Sequence, residues 1–397
     1  MLFRLEIENF FSVAERLEID FSLRVPDEDP HFAAIYPNSK KRAPKVVAVF
    51  GPNASGKTVF LRAIAFLAWF ARDSFFSLSP TQPLPAFQFK KEDWAKKPTR
   101  LAVEIGLRSL FPGREAEAGV YRYELEIQGQ EGSVTKESLF YHPSTERKPF
   151  LVFERGCDGI VQGSDLFPIF PFKSETPPIF KVRSNASVIS TYAQLGHQIA
   201  IEVHKALQTV WSNLLWVKED LSVQRLISLF QKNPKLLEDA NRELRRLDLG
   251  LLELTLSSND LTFIHEGLTE SIPWVFESNG TQSFLRSYPA LWIALGTGGI
   301  AVLDELDASI HPEVLREIVS WFWDPETNPL NAQLFFSCHN ILLLKELQKE
   351  EILFCKQTPK EGYTRMYRLA DIKDIPKGED FVRGYWHGAY GALPNIG

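Results

Sequence analysis

The sequence predicts an α/β fold with a mixed sheet, an antiparallel β subdomain in its N-terminal part and a helical insertion near its middle. Three observations predict it. The buried, β-branched run Val46 to Phe50 precedes a glycine-containing loop and an apolar stretch long enough for a helix. Apolar and polar residues alternate in several segments before residue 142, as in half-buried strands. Between Ser190 and Leu247, apolar residues recur at three- and four-residue steps, which is typical of helices; they include Ile199, Val203, Leu207, Val210 and Leu214.

Composition limits the classes of protein that fit. The chain has 397 residues, enough for two or three domains, and its 44% hydrophobic content suffices for a large core. A net charge of −6 excludes a chain that is strongly basic throughout, as a dedicated nucleic-acid binder would be. The cysteines Cys157, Cys338 and Cys355 are few and far apart, which argues against a disulfide framework and a zinc site. With no secretory segment and no uncharged apolar run of membrane-spanning length, we expect a soluble, cytoplasmic protein.

Three regions follow from the distribution of these patterns. Residues 1–165 form an N-terminal lobe, residues 166–265 a helical lid or insertion, and residues 266–397 a C-terminal lobe. The proline-bearing stretch from Phe167 to Phe180 marks the first boundary. The antiparallel strands are expected at Phe3 to Ile7, Leu17 to Phe21, Leu101 to Leu107, Val120 to Ile127, and Lys136 to Tyr141.

The loop after the first buried strand carries the strongest motif of the chain. Its residues fit the pattern G-x-x-x-x-G-K-[ST] without a mismatch; they are Gly51, Pro52, Asn53, Ala54, Ser55, Gly56, Lys57 and Thr58. The two glycines let backbone N–H groups converge on one polyphosphate, and the helix N-terminus adds positive potential. Lys57 is suited to neutralise the outer phosphates, and the Thr58 hydroxyl is suited to ligate Mg²⁺. Because the strand and helix flanks are also correct, the pattern predicts binding of a nucleoside triphosphate rather than a chance match.

A second motif places two carboxylates at the end of a strand. The apolar run from Ile300 to Leu303 ends in Asp304 and Glu305, where ligands bind in an open α/β sheet. Asp304 is suited to hold Mg²⁺ beside Thr58, and Glu305 is suited to act on the water that attacks the γ-phosphate. Carboxylates also follow ordinary strands, so this assignment depends on the phosphate-binding loop being present.

Three further segments follow a recognisable order. The loop Glu277 to Ser283 lies upstream of the carboxylates, Leu306 to Ser309 follows them, and the apolar run from Leu334 ends at His339. In this order the sequence resembles the ABC-type ATPase heads of the RecF/SMC superfamily. It is more similar to the AAA-family ATP-binding proteins of bacterial abortive-infection and antiphage operons. That similarity is carried by the segments Ile7 to Ser12, Asp248-Leu249-Gly250, Glu277 to Thr281, Asp304 to Pro312, His339-Asn340 and Gly384 to Pro394.

The resemblance implies roles for four more residues. Ser278 and Gly280 would contact the γ-phosphate of ATP held by the other protomer, Asp307 would cross the dimer interface, and His339 would contact the γ-phosphate as a catalytic switch beside Lys57 and Glu305. The loop reads Ser-Asn-Gly-Thr-Gln, without the two adjacent glycines of the transporter form.

Other residues near these motifs have plainer interpretations. Gln88 is the candidate for the Q-loop glutamine, against a surface-loop residue. Cys338 is expected to be a small buried side chain, and His311-Pro312 to shape a turn that caps the next helix. The aromatic and glycine-rich C-terminal segment is expected to pack as a closing segment.

By this resemblance the cofactors are ATP and Mg²⁺, and a working site requires at least two copies of the chain. We expect a homodimer, or a larger homo-oligomer, that acts as the sensor or regulatory ATPase of an antiphage system and controls a separately encoded nuclease or toxin. The helical insertion is a candidate partner surface. ATP rather than GTP is the family expectation.

Two alternatives stay open. One is a RecF-like repair ATPase that clamps duplex DNA with a basic stripe; the stripe would comprise Lys181, Arg183, Lys232, Lys235, Arg242, Arg245 and Arg246. The other is a nucleotide-gated scaffold that barely hydrolyses ATP, against which the intact Glu305 counts.

Overall fold

The computed structural model describes the chain except for residues 27, 86–87, 112, 115, 130, 170–180, 215–220, 248–250, 258–259, 374, 376–377 and 394–397. Parts of three sequence-based predictions lie outside the described residues. They are the turn at Asp248-Leu249-Gly250, most of the proline-bearing boundary ending at Phe180, and Pro394 in the C-terminal segment.

The described residues contain four sheets. Their strands are β1 (Leu2–Glu8), β2 (Leu17–Asp20), β3 (Phe32–Ala34), β4 (Arg42–Pro44), β5 (Val46–Phe50), β6 (Thr99–Arg108), β7 (Ala118–Gln128), β8 (Ser133–Pro143), β9 (Phe150–Arg155), β10 (Val161–Gly163), β11 (Val210–Ser212), β12 (Leu251–Leu256), β13 (Leu261–His265), β14 (Ile272–Pro273), β15 (Ile300–Leu303), β16 (Gln333–Ser337), β17 (Ile352–Gln357) and β18 (Thr364–Arg368).

The helices are α1 (Lys57–Ser77), α2 (Glu92–Ala95), α3 (Val188–Gln194), α4 (Gln198–Leu207), α5 (Val223–Lys232), α6 (Pro234–Leu247), α7 (Asn279–Thr297), α8 (Pro312–Trp323) and α9 (Phe381–Trp386). Short 3₁₀ turns lie at Trp274–Phe276, Ile341–Lys345 and Leu369–Asp371. Within the described residues, every helix is too short or too polar to cross a membrane.

The central sheet has the strand order β11-β15-β16-β5-β17-β18. Its strands are parallel except for β18, which pairs antiparallel to β17. The carboxyl ends of β5, β15 and β16 therefore meet at one edge of the sheet. This edge carries the phosphate-binding loop, the two carboxylates and the predicted switch histidine.

Both faces of the central sheet are covered, which explains the unbroken apolar run of β5. Val47 and Val49 belong to a core shared with α1 and the antiparallel strands. Val46, Ala48 and Phe50 belong to a second core on the opposite face, which includes side chains of α7 and α8. A parallel strand buried on both faces reads as continuously hydrophobic, as predicted here.

A seven-stranded antiparallel sheet forms the N-terminal β subdomain, with the order β10-β9-β8-β7-β6-β1-β2. The five predicted strands correspond to β1, β2, β6, β7 and β8; four of them are longer than predicted, and β2 ends at Asp20, one residue before the predicted end at Phe21. Its inward-facing residues, such as Leu5 and Leu139, join the core around α1. The predicted antiparallel subdomain and mixed α/β fold are confirmed.

The helical region contains α3 to α6, as the periodicity predicted, with one difference. Val210 was expected to continue a helix from Ile199, but α4 ends at Leu207 and Val210 starts β11. This short strand pairs parallel to β15, with Val210 opposite Ile300. The periodicity misled because Val210 falls at a helical step by coincidence, while pairing with a distant strand decides its conformation. The region boundaries at residues 165 and 265 stay a prediction.

A buried ion pair joins the antiparallel sheet to the helical region. Glu137 on β8 and Arg155 on β9 are almost fully buried, with 3.0 Å between Arg155 Nε and Glu137 Oε2. The Glu137 carboxylate also accepts hydrogen bonds from the hydroxyls of Tyr123 and Ser187 and from the backbone N–H of Val188. Because Ser187 caps α3, this carboxylate fixes the start of that helix against the sheet.

We predict that Glu137→Ala lowers the free energy of unfolding by about 3–5 kcal/mol, because it leaves the Arg155 guanidinium buried without its counter-ion. Urea unfolding followed by circular dichroism measures this. The control is Glu126→Ala, whose carboxylate pairs with half-exposed Arg100 and whose loss should change stability by less than about 1 kcal/mol. Equal losses in the two variants would contradict the assignment.

Candidate nucleotide-binding site

The loop between β5 and α1 has the backbone that its glycines predict. Gly51 has φ 153° and Gly56 has φ 105°, and both lie in tight surroundings. A Cβ atom on Gly51 would stand 2.2 Å from the carbonyl oxygen of Cys355, and one on Gly56 would stand 2.1 Å from Thr364 Oγ1. At Gly56, both the positive φ and the packing therefore exclude a side chain.

Side chains of strands β17 and β18 contact the backbone carbonyl groups of the loop. Thr364 Oγ1 donates a hydrogen bond of 2.8 Å to the Ser55 carbonyl oxygen, and the Cys355 thiol contacts the same oxygen at 2.9 Å. Gln357 Nε2 donates to the Ala54 carbonyl oxygen at 2.9 Å. Thr364 Oγ1 also lies 2.7 Å from Ser12 Oγ, which links the N-terminal segment to the loop. Nothing in the local sequence signals these contacts, because about 300 residues separate the partners.

Lys57 and Thr58 lie where their predicted roles require, at the phosphate-binding loop and beside Asp304. Lys57 Nζ donates to the carbonyl oxygens of Gly51 and Pro52, at 2.9 and 3.0 Å, so the ammonium group sits at the loop. Burial lowers the pKa of Lys57, against the opposing influence of nearby Asp304 and Glu305. Thr58 Oγ1 lies 3.1 and 3.0 Å from the two carboxylate oxygens of Asp304. The two predicted Mg²⁺ ligands are therefore in direct contact.

Ser337 organises the two carboxylate residues at the end of β15. Its hydroxyl donates to Asp304 Oδ1 at 2.6 Å and accepts from the backbone N–H of Glu305 at 2.7 Å. Glu305 has φ 51° and its side chain is exposed, whereas Asp304 is only 5% exposed. Ser337 was not among the predicted site residues, although its place at the end of a buried strand, two residues before His339, was an available signal.

One cleft of about 420 Å³ brings most of the predicted residues together. Its lining comprises Ser12, Asn53, Ala54, Ser55, Gly56, Lys57, Thr58, Val59, Asp304, Glu305, Ser337 and His339. Gly51 and Pro52 lie at the base of the loop, where their carbonyl groups hold Lys57.

Ser278 and Gly280 lie outside this cleft. Ser278 is the N-cap of α7, where its hydroxyl accepts a hydrogen bond from the Thr281 N–H at 3.1 Å. It is exposed, and Val275 and Phe276 just before it are 72% and 77% exposed. A Cβ atom on Gly280 would stand 3.0 Å from the carbonyl oxygen of Ser309, so this loop packs beside the segment that follows the carboxylates.

Asp307 makes its contacts within its own chain. Its Oδ2 atom accepts hydrogen bonds from the backbone N–H groups of His339 and Asn340, at 2.7 and 2.8 Å. It therefore connects the segment after Glu305 to the loop that carries His339. The crossing of a dimer interface, which the resemblance implied for Asp307, stays a prediction.

The remaining residues singled out in the sequence have packing or capping roles. Gln88 is buried against Gly129 and does not line the cleft. His311 caps α8, with its Nδ1 accepting from the Glu313 N–H at 3.2 Å, as expected for a turn-forming residue.

Burial raises the pKa of the Cys338 thiol and raises that of Cys355 to about 12, so neither is a reactive thiolate. In the C-terminal segment, Tyr385 and Tyr390 stack on Phe354, which agrees with a packed closing segment.

The residues present fit a Mg²⁺–nucleotide complex. The loop has no room for side chains at its glycines, Lys57 supplies a cation, and Thr58 and Asp304 supply the hard oxygen ligands that Mg²⁺ requires. The Ser55 hydroxyl is buried and has no hydrogen-bond partner among the described residues, so it is available to a bound oxyanion. The fold and this site define a P-loop nucleotide-binding domain.

One comparison with a solved structure agrees with this fold. The SMC head in complex with the C-terminal winged-helix domain of ScpA is similar, with a TM-score of 0.52 and 13% identity over 92% of this chain and 97% of that chain. At this identity the match shows the fold alone. An SMC head domain with an extended coiled coil, bound to the C-terminal domain of ScpA derived from Pyrococcus furiosus, gives a TM-score of 0.45 and 12% identity over 92% and 96%. No curated protein matches the sequence.

A family model matches residues 46–345, which span the loop, the helical region, the carboxylates and His339. Its description reads "AAA domain, putative AbiEii toxin, Type IV TA system", and the chain belongs to this family. The family match confirms the predicted resemblance to AAA-family proteins, and the match to the SMC head confirms the predicted fold.

We predict that Thr364→Val weakens ATP binding about fivefold, because it removes one hydrogen bond to the phosphate-binding loop while preserving side-chain volume. Isothermal titration calorimetry measures the affinity. Thr255→Val is the matched control, because Thr255 Oγ1 makes a similar hydroxyl contact with Thr262 in the separate β12-β13 pair. If both variants bind ATP as the wild type does, Thr364 does not support the loop.

Proposed function

We propose that this protein binds and hydrolyses ATP with Mg²⁺ at the described cleft. The observation that carries the proposal is the contact between Thr58 and Asp304, with Glu305 and His339 on the same cleft. Mg²⁺ held by Thr58 and Asp304 would neutralise charge on the phosphates. Lys57 would hold the outer phosphates, and Glu305 would accept a proton from the attacking water. The water oxygen forms a bond to the γ-phosphorus while the bond between the γ-phosphorus and the β–γ bridging oxygen breaks. The bridging oxygen leaves with ADP.

Two copies of the chain would complete each site. Ser278 and Gly280 are on the surface and do not line their own cleft, so a bound nucleotide would meet them from another protomer. The N-terminus of the 19-residue helix α7 offers its N–H groups to an anion there. The exposed side chains of Val275 and Phe276 adjoin this loop, and a second copy would remove them from water.

The family membership supports a role in defence. The family description names a putative toxin of a type IV toxin–antitoxin system, and on that basis we propose a cytoplasmic regulatory ATPase that controls a separately encoded effector, a nuclease or a toxin, in an antiphage system. Closure of a homodimer around ATP and its opening after hydrolysis would provide the switch. Asp307 supports this switch because it joins the segment after Glu305 to the loop of His339.

The alternative of a DNA clamp finds less support in the charges. Arg242 and Lys235 both pair with Asp239, and Arg246 pairs with Glu243 and Glu317. Three of the seven residues of the expected basic stripe are therefore paired with acidic neighbours. A steep fall in DNA affinity with salt in the ATP-bound state would favour the clamp nevertheless.

We predict that Glu305→Gln lowers the rate of ATP hydrolysis by at least about 100-fold, because the amide cannot accept a proton. Phosphate release measures the rate. The trapped protein should have the mass of two chains with Mg-ATP and of one chain without it, by light scattering. Lys57→Ala should hydrolyse no ATP and stay monomeric. If Glu305→Gln has the mass of one chain under both conditions, the dimer is excluded.

We also predict that Glu305→Gln, tagged and purified from its native operon, retains a stoichiometric protein partner because the ATP-bound state persists. Mass spectrometry identifies the partner, and Lys57→Ala serves as the control that should lose it. Recovery of DNA fragments with repair proteins, and no stoichiometric partner, would contradict the defence role and favour the clamp.

A further inference from the structure

The main chain of Asp304 is held by a side chain from the helical region. Asn213 Oδ1 accepts a hydrogen bond of 2.8 Å from the Asp304 N–H, and Asn213 Nδ2 donates one of 3.1 Å to the Asp304 carbonyl oxygen. A single amide group thus satisfies both backbone polar groups of the residue that was predicted to hold Mg²⁺. Asn213 touches the Asp304 main chain and does not line the nucleotide cleft.

The position of Asn213 explains this geometry. It follows directly after β11, which is the edge strand beside β15, and its own N–H still reaches the Val302 carbonyl oxygen at 3.4 Å. The backbone ladder between β11 and β15 ends at this point. The side-chain amide of Asn213 has the same donor and acceptor as a peptide unit, so it extends the ladder by one residue. Asp304 is therefore paired like a strand residue although β15 has ended.

This extension matters because the chain turns sharply at the next residue. Glu305 adopts a left-handed backbone with φ 51°, which costs free energy in a residue with a side chain. Thr58 and Ser337 contact the carboxylate of Asp304, while Asn213 anchors its main chain. The carboxylate can keep a fixed position only if the main chain beneath it is fixed, and Asn213 supplies that anchor.

We propose that Asn213 is a positioning residue for the Mg²⁺ carboxylate and couples the helical region to the nucleotide site. The proposal rests on the proposed ATPase function. Residues that orient metal ligands from outside the ligand set typically change metal affinity or activity 10- to 100-fold when they are removed. Because Asn213 belongs to the segment between α4 and α5, any displacement of β11 moves the anchor of Asp304.

The chain contains a matched control for this contact. Asn241 on α6 accepts a hydrogen bond of 2.7 Å from the Leu254 N–H and donates one of 2.9 Å to the Leu254 carbonyl oxygen. Its amide therefore pairs with one residue of β12 in the same way, in a sheet that does not border the cleft. Asn213→Ala and Asn241→Ala remove equivalent hydrogen bonds, but only the first adjoins Asp304.

The experiment measures Mn²⁺ binding by electron paramagnetic resonance in the presence of a non-hydrolysable ATP analogue. Asn213→Ala should bind Mn²⁺ about tenfold more weakly than the wild type, and Asn241→Ala within twofold of it. In ATP hydrolysis, the Mg²⁺ concentration at half-maximal rate should rise by a similar factor for Asn213→Ala. The maximal rate at saturating Mg²⁺ should fall less. Thermal unfolding should show comparable losses for the two variants.

Equal Mn²⁺ affinities in Asn213→Ala and Asn241→Ala would overturn the proposal. So would a lower maximal rate of Asn213→Ala with an unchanged Mg²⁺ requirement. If Asn213→Ala does not fold, Asn213→Ser carries the same expectation, because it also lacks the amide donor. A wild-type protein that binds neither the analogue nor Mn²⁺ and hydrolyses no ATP would instead refute the proposed ATPase function, so the two failures are distinguishable.

Discussion

The contact between Thr58 and Asp304 forms across the end of a strand that terminates in a serine, Ser337. Thr58 follows β5 and Asp304 follows β15, and these strands are not neighbours because β16 separates them in the central sheet. Two strand spacings amount to about 10 Å, so the two motifs must reach across the end of β16. Ser337 ends that strand, and its small hydroxyl bonds to Asp304 without blocking Thr58. A large side chain at this position would separate the two oxygen ligands that the proposed chemistry requires.

The sequence predicted the parts of the fold whose local pattern and burial agree. Strands β5 and β15 were predicted because both faces of the central sheet are covered, which makes their residues uniformly apolar. The antiparallel strands were found by alternation. The three-residue strand β11 was not, because so short a segment acquires its conformation from pairing with β15 rather than from its own residues.

The residues of the candidate site also fall into a group that the sequence predicted and a group that it did not. The loop residues and both carboxylates were predicted, because adjacent residues carry their chemistry. Thr364 and Asn213 were missed, since they act through backbone groups of residues 309 and 91 positions away. A hydrogen bond from a side chain to a distant backbone group leaves no periodic pattern in either segment. Such contacts decide how firmly the predicted residues are held.

Several of these long-range hydrogen bonds are made to residues whose backbone conformation is strained. Ala54 and Glu305 line the cleft with φ values of 60° and 51°, in the left-handed region that disfavours residues with side chains. Each such residue costs on the order of 1–3 kcal/mol and persists only when its surroundings enforce it. Gln357 bonds to the carbonyl group of Ala54, and Ser337 bonds to the N–H of Glu305. A cleft kept in shape by long-range hydrogen bonds against local strain can change conformation when a few of them are exchanged. The proposed nucleotide-dependent switch requires this property, and Asn213 adds a hydrogen bond from the helical region to Asp304, the residue before Glu305.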